Sequence, residues 1–393
     1  LLGFEKNGTP DPSFGSGGIV TLEPPAGKTL DPTDVAIDPA GRILISGTAS
    51  TIGAPHGTGL LGEGVPSPSR AVVLRLLPDG APDPAFGSNG IVETTFGFPT
   101  PPVVGGTIAE GSYPEPSAEA LSIAADATGH PIVTGSWAAA LSSCYPASPI
   151  LITKAFVARF GLSGNLETVS TAPPIDPARR GVSLIPAGGE RVLFQGDQSE
   201  PCPRGGPFNE LSSLALLSSS GTAEPSFAAA TLSYGGVPRA ALDNRGRPVV
   251  SGWREIGFES PIRTAVTRLR TNGTLDSSFG QDGVAMLSER TQPPSFVQKA
   301  QPVAIDASNR PIIGGGLASL AGFSLTRLTA RGALDTRFGS NGIAAIGFSA
   351  AAAAEVDTLI VNGAGKLIAA GKLKLRNSPE APAIAIARYV PGS

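Results

Sequence analysis

Short apolar runs recur at close intervals along the chain, each bounded by Gly, Pro, Asn or Asp. The first four are IVTL (19–22), VAID (35–38), ILIS (43–46) and VVLRLL (72–77). Continuous or alternating apolar character over such short lengths, punctuated by turn residues, predicts β-strands. No stretch keeps a helical period over three turns, so no long helix is predicted. The Ala run at 349–354 has the composition of a single helical turn. Labelled A to D in chain order, the four strands form a unit that returns about six times.

The connections repeat as faithfully as the strands. PDPSFGSGGIV (10–20) returns as PDPAFGSNGIV (82–92), LDSSFGQDGVA (275–285) and LDTRFGSNGIA (334–344). Each of the last three follows a run with a basic residue near its end: AVVLRLLPDG (71–80), TAVTRLRTNG (264–273) and FSLTRLTARG (323–332). A second phrase has the form VAIDPAGRILISG (35–47), SIAADATGHPIVTG (122–135), RAALDNRGRPVVSG (239–252), PVAIDASNRPIIGG (302–315) and LIVNGAGKLIAAG (359–371), with a degenerate copy at 183–196. The first phrase decays to LSGNLETVS (162–170) and GTAEPSFAAA (221–230) in the third and fourth units. Four-stranded units in series predict an all-β chain, a β-propeller of six four-stranded blades, with seven blades as the alternative and a β-solenoid as the less fitting architecture. The whole chain, 1–393, reads as one propeller domain with blades at about 17–77, 90–160, 164–218, 227–270, 283–328 and 342–390.

The alternation of these two phrases resembles the bacterial delta-60 repeat family, whose units are expected to be propeller blades. The resemblance implies a fold and brings no catalytic residues with it.

The repeated residues have structural readings. Asp11, Asp83, Asp276 and Asp335 (Glu224 in the fourth unit) can each accept backbone hydrogen bonds two or three residues on and so shape a turn. Phe14, Phe86, Phe279 and Phe338, and Phe227 in the fourth unit, read as wedges between adjacent blades. The phrase as a whole reads as the hinge from the rim of one blade to the axis of the next. Basic residues recur in strand D (Arg75, Arg159, Arg268, Arg327, Arg388) and strand C (Arg42, His130, Arg191, Arg247, Arg310, Lys366), facing turn carboxylates such as Asp38, Asp126, Asp243 and Asp306. A metal ring is the weaker reading, because each copy supplies one carboxylate and calcium loops need dense oxygen clusters. No metal and no cofactor are predicted.

Length variation falls on one end of the units. The D–A and B–C turns are stereotyped, whereas the A–B connections (23–33, 96–118, 171–180, 288–301, 348–356) and C–D connections (49–69, 137–152, 197–210, 253–262, 372–382) vary. Variable loops on a constant scaffold are where such folds carry binding. Cys144 and Cys202, the only two cysteines, fall in neighbouring C–D connections and are expected to form a disulfide. Such a bridge, and the chain's opening at Leu1 inside a repeat unit, suggest a trimmed, secreted or cell-surface protein. Leu1–Lys6 read either as the strand that closes the ring or as the remnant of a trimmed blade; strand D of the last blade is expected from 383–390.

Candidate binding residues at this end are Trp137, Trp253, Tyr113, Tyr145, His56 and Glu255. Tyr234 lies in or near its loops, with further carboxylates at Glu110, Glu115, Glu119, Asp197, Glu200 and Glu259. Aromatic platforms beside carboxylates suit sugars, and paired carboxylates could perform glycoside chemistry. GAPHGTGLLGEG (53–64) lacks the Lys and strand-to-helix setting of a phosphate loop. A formal net charge of −3 lacks the basic footprint of nucleic-acid binding. No apolar run is long enough to span a bilayer. The sequence reads as a monomeric binding or scaffold propeller with an unknown protein or glycan ligand, and as a carbohydrate-active hydrolase or lyase in the alternative.

Overall fold

The computed structural model describes residues 1–5, 9–24, 26–52, 69–102, 116–145, 148–171, 180–197, 211–218, 220–254, 263–287, 301–317, 321–362, 365–376 and 383–389. Among them there is no helix. The strands form six antiparallel sheets, the blades of a β-propeller. The first sheet takes β1 (Lys28–Ile37), β2 (Ile43–Thr51), β3 (Ser69–Leu76) and β4 (Ile91–Thr94) in chain order. The second takes β5 (Ala118–Ala125), β6 (Pro131–Tyr145), β7 (Ser148–Phe160) and β8 (Leu166–Ser170). The third takes β9 (Arg180–Pro186), β10 (Arg191–Asp197), β11 (Leu211–Ser218) and β12 (Ala230–Ser233). The fourth takes β13 (Gly235–Leu242), β14 (Pro248–Arg254), β15 (Arg263–Arg268) and β16 (Val284–Met286). The fifth takes β17 (Val303–Ile305), β18 (Pro311–Leu317), β19 (Gly322–Arg327) and β20 (Ile343–Gly347). The sixth has three strands among the described residues, β21 (Ala351–Val361), β22 (Leu367–Leu375) and β23 (Ala383–Tyr389).

The expected blade boundaries are displaced by one strand. The strand after each Asp-Phe-Gly phrase closes the sheet it has just left, and does not open the next one. In the first sheet β3 pairs with β4 through Leu74↔Ile91 and Val73↔Val92. The fourth and fifth sheets repeat this through Thr267↔Val284 and Thr326↔Ile343. The phrase is therefore a hairpin within a blade. The physical reason is its tightness: Phe86 N–H donates to Asp83 O at 3.1 Å, and Gly90 N–H to Phe86 O at 2.8 Å. The chain turns back on itself before it can leave the sheet. The sheets run 28–94, 118–170, 180–233, 235–286, 303–347 and 351–389.

Two further segments depart from their expected form. Most of the Ala run, 351–354, opens β21 and pairs with β22, because an antiparallel partner satisfies its backbone and overrides a weak helix propensity. The insertion expected as a loop at 137–152 is mostly sheet, since β6 and β7 extend to Tyr145 and Ser148.

The chain divides into two compact units, Leu1–Gly206 with Ser213–Pro225, and Pro207–Ser212 with Ser226–Ser393. In the first unit, Leu44, Val73 and Phe86 of the first sheet meet Ile123, Val133 and Phe156 of the second. The other face of the second sheet, with Ile132 and Val157, meets Leu184, Phe194 and Leu217 of the third. In the second unit, Val249 and Val266 meet Val303 and Ile313, and Ile312 and Leu325 meet Leu359 and Leu367. Sheets buried on both faces explain strands that read as continuous apolar runs. Residues 1–5 pair within the first phrase through Leu2↔Ile19 and Phe4↔Pro10, and Val20 and Leu22 cover the far face of the first sheet.

Candidate functional site

At the stereotyped end of the sheets, one carboxylate serves two purposes. Asp83 Oδ1 accepts the Ala85 N–H at 3.0 Å, and its Oδ2 accepts Arg75 Nε at 2.8 Å. The Arg75 guanidinium in turn lies 4.6 Å from the ring centre of Phe86. Arg268, Asp276 and Phe279 repeat this arrangement at 2.8 Å and 4.6 Å, and Arg327, Asp335 and Phe338 at 2.8 Å and 4.4 Å. All nine side chains are buried. A buried cation is tolerated here because a carboxylate neutralises it and an aromatic face covers it.

The second phrase adds another carboxylate. Asp243 Oδ1 accepts the N–H groups of Arg245 and Arg247, at 2.9 and 3.0 Å, and its Oδ2 accepts Arg247 Nε at 2.8 Å. Arg247 Nη1 continues to Asp276 Oδ2 at 2.9 Å. Asp306, Arg310 and Asp335 form the same bridge, with Arg310 Nη1 to Asp335 Oδ2 at 3.3 Å. Burial pushes the Asp276 carboxyl up, but hydrogen bonds from Ser278 and the Arg268 guanidinium outweigh it and bring its pKa down to about 2. At the first phrase Gly3 stands in the place of the strand Arg, and hydrogen bonds from Ser13 lower the Asp11 pKa.

The second sheet is different. His130 replaces the strand Arg of the second phrase, and Arg159 bridges Asp126 Oδ2, at 3.0 Å, and Glu167. Burial raises the Asp126 carboxyl, yet hydrogen bonds from Thr128, His130 and Arg159 leave its pKa lowered. His130 donates its backbone N–H to Asp126 at 3.0 Å and shares a 2.7 Å side-chain hydrogen bond with Thr128. Its role is that of a turn residue.

Three of the phrases also dock on the turn of a later repeat, through Gly15, Gly87 and Gly280. Gly87 N–H donates to Ser163 O at 2.8 Å, and Gly280 N–H to Arg331 O at 2.8 Å. The contact leaves a groove of about 660 Å³ lined by Gly87, Ile91, Glu93, Ser163 and Asn165. A smaller one of about 390 Å³ recurs one repeat earlier, beside Gly15 and Asp79. Their recurrence marks them as products of the architecture.

At the other end of the sheets, Trp137 of β6 stacks on Phe98, with centroids 4.6 Å apart and planes at 27°. Phe96 and Phe156 extend the cluster. The indole N–H groups of Trp137 and Trp253 are both buried without a hydrogen-bond partner. Phe96 and Phe98 lie in a connection that the strand pattern leaves as insertion; two Phe flanking a Gly in TTFGFP were the available signal. Glu93 meets Lys28 and Arg70, the latter at 3.4 Å. Glu119 faces Ser136 across β5 and β6 and accepts its Oγ–H at 3.5 Å, on the face of the sheet opposite Trp137. Tyr234 stands in the one-residue connection between β12 and β13, as expected, but it is buried, shares a hydrogen bond with Thr267, and burial pushes its pKa up to about 12. His56, Tyr113, Glu110, Glu115, Glu200, Glu255, Glu259 and Cys202 lie outside the described residues. Cys144 and Tyr145 end β6, and Asp197 ends β10, with side chains outside the described set. Among the described residues no cluster of His, Cys, Asp and Glu could hold a metal ion, and no helix is long and apolar enough to cross a membrane.

Comparisons with known proteins agree with the architecture. Residues 65–86 and 246–279 match the model of a family described as a domain of unknown function (DUF5122) beta-propeller. Both stretches carry repeats of the delta-60 type. No curated protein sequence matches the chain. Among solved structures, a protein of unknown function from Dyadobacter fermentans is similar over 92% of this chain and 99% of its own, at 11% identity and a TM-score of 0.51. The NanB sialidase from Streptococcus pneumoniae is similar over 92% of this chain and 68% of its own, at 11% identity and a TM-score of 0.48. At 11% identity, the likeness to the Dyadobacter protein is one of fold.

Proposed function

We propose that this protein is a non-catalytic binding or scaffold propeller of the cell exterior, whose ligand is engaged by the variable connections. The observation that carries this reading is the contrast between the two ends of its sheets. One end is occupied by buried Asp–Arg–Phe groups in which each carboxylate is paired with its arginine within the protein, Arg75 Nη1 alone among their buried polar atoms lacking a hydrogen-bond partner. A group satisfied in this way has little left to offer a ligand. The other end carries the connections that differ in length from unit to unit, beside the exposed ends of rigid strands. Trp137 and Trp253 both lie toward that end, two residues and one residue past Gly135 and Gly252 of their strands. Aromatic residues and carboxylates among the residues of this end suit a glycan, whose apolar ring faces stack and whose hydroxyls need acceptors.

The test is a glycan and metabolite screen on the purified full chain, read as a ligand-induced rise in melting temperature. Binding that is weakened by Glu93→Gln or Glu119→Gln, and unchanged by Ser277→Ala at the stereotyped end, supports the reading. A ligand whose affinity responds only to the stereotyped end overturns it, and release of a cleaved product would replace it with glycoside chemistry.

A further inference from the structure

At the stereotyped end, the turns of the fourth and fifth sheets carry charges that the same turns of the first sheet lack. The repeat supplies the reference for each position. Arg245 stands where the first sheet has Ala40, and Arg270 where it has Leu77. Arg331 stands in place of Asp79, and Arg337 in place of Ala85. All four arginines are exposed. Among the described residues none of them forms an ion pair. The carboxylates Asp243, Asp276, Asp306 and Asp335 of these turns are buried and already matched with Arg247, Arg268, Arg310 and Arg327. One carboxylate of these turns is exposed, that of Asp282. The face is therefore basic on a chain whose formal net charge is −3.

Hydrogen bonds join these turns into one surface. Asn244 Nδ2 donates to Ala307 O at 3.0 Å, so the turn that carries Arg245 rests on the matching turn of the fifth sheet. Arg268 Nη1 donates to Ala330 O at 2.6 Å, and the Gly280 N–H donates to Arg331 O. The phrase of the fourth sheet thus lies against the turn that carries Arg331. Arg310 then ties the fifth sheet's two turns together through Asp335, two residues before Arg337. Exposure at these positions belongs to the repeat. Asn272 and Ser278 match Arg331 and Arg337 one repeat earlier, and both are exposed with the next repeat docked beside them.

Guanidinium groups suit phosphate oxygens, which they meet with two parallel hydrogen bonds. Two observations decide between a lipid surface and a soluble polyanion. The phenylalanines of these turns, Phe279 and Phe338, are buried beneath Arg268 and Arg327, so they offer no platform on which bases or sugar rings could stack. Leu275, by contrast, is 48% exposed in the hairpin that carries Arg270, where it pairs with Leu269. A bilayer surface takes cationic and apolar side chains together, whereas a soluble polyanion gains nothing from a leucine. We propose that the turns of the fourth and fifth sheets form a peripheral docking face for an anionic phospholipid surface. Arg245, Arg270, Arg331 and Arg337 meet lipid phosphates, and Leu275 enters the headgroup boundary. Each such cation strengthens binding about fivefold. Docked in this way, the variable connections of these two sheets point away from the bilayer.

Flotation of the full chain with vesicles tests this, using phosphatidylcholine and phosphatidylglycerol in equal parts against phosphatidylcholine alone. The chain should float with the anionic vesicles only, and should leave them as salt is raised. Arg331→Gln/Arg337→Gln should weaken vesicle binding roughly twenty-fivefold, at about fivefold for each charge. Leu275→Ser should weaken it further, and this loss should persist at salt concentrations that screen the arginines. The arginines are exposed, so circular dichroism and melting temperature should match the wild type; if they do not, Arg245→Gln/Arg270→Gln makes the same test. Failure to float at low salt overturns the proposal. So does equal binding to neutral vesicles, or binding indifferent to the arginine variants. Heparin and duplex DNA stand for the soluble polyanions. Tighter binding to either, lost in the arginine variants and unchanged by Leu275→Ser, would give the face to a soluble polymer and overturn the lipid reading. Glu93 and Glu119 are intact in every variant, so a glycan response at the variable end is read separately.

Discussion

The fourth and second sheets solve one packing problem differently. In the fourth, the phrase LDSSFGQDGVA delivers Phe279 into the interface with the fifth sheet, under the Arg268–Asp276 pair. In the second, the phrase has shrunk and carries no Phe. The aromatic filler of the next interface comes instead from a strand of the third sheet, as Phe194 of β10. The salt bridge survives the change, since Arg159 still meets a carboxylate eight residues on, now Glu167. The interface requires apolar volume and is indifferent to which element supplies it. The hairpin requires a carboxylate at one position, and the chain keeps one there.

Substitutions can break or sharpen this comparison. The largest expected effect is on the two fillers: Phe279→Ala and Phe194→Ala should each cost about 3–5 kcal/mol in chemical denaturation, because both side chains are fully buried. A mild effect at Phe279 alone would separate the two interfaces. Next, Asp276→Asn leaves Arg268 and Arg247 without their shared carboxylate and should cost about 3 kcal/mol. Glu167→Gln, at a partly exposed pair, should cost less than about 1 kcal/mol; equal losses would contradict the contrast drawn here. Gly332→Ala should cost about 2 kcal/mol, because Gly332 has a φ of +87° and a Cβ would lie 2.7 Å from the Gly280 nitrogen.

A further effect is pH-dependent. Asp276 has a pKa of about 2 in the folded protein, against about 3.9 when unfolded. Its contribution is therefore present above about pH 4 and is lost as pH falls toward 2. Melting curves of the wild type and Asp276→Asn should converge across that window. A constant difference would mean that the carboxylate's charge is not what stabilises the turn.

Much of the fold was legible because it repeats. Copies of one phrase identified the turns and the number of blades. Asp83 and Phe86 were readable as turn former and wedge from their spacing. The partners of the arginines were less so. The second-phrase carboxylates looked like the natural partners of Arg75 and Arg268, yet these reach Asp83 and Asp276 within their own hairpins. Hairpin pairing sets residues eight apart in sequence side by side, a proximity that depends on where the chain turns. At the variable end, Trp137 could be placed from its spacing, but its stacking on Phe98 could not.

The sequence by itself determined that this is an all-β repeat, where its turns fall, and which residues make them. Those properties are local: they depend on backbone conformations and on hydrogen bonds within a few residues. Only the tertiary structure decided that the strand after each phrase closes the blade behind it and that most of the Ala run is a strand. A strand's apolar pattern shows that it must be buried and paired, but the partner is set by the geometry of the turn and by the surface that another sheet offers.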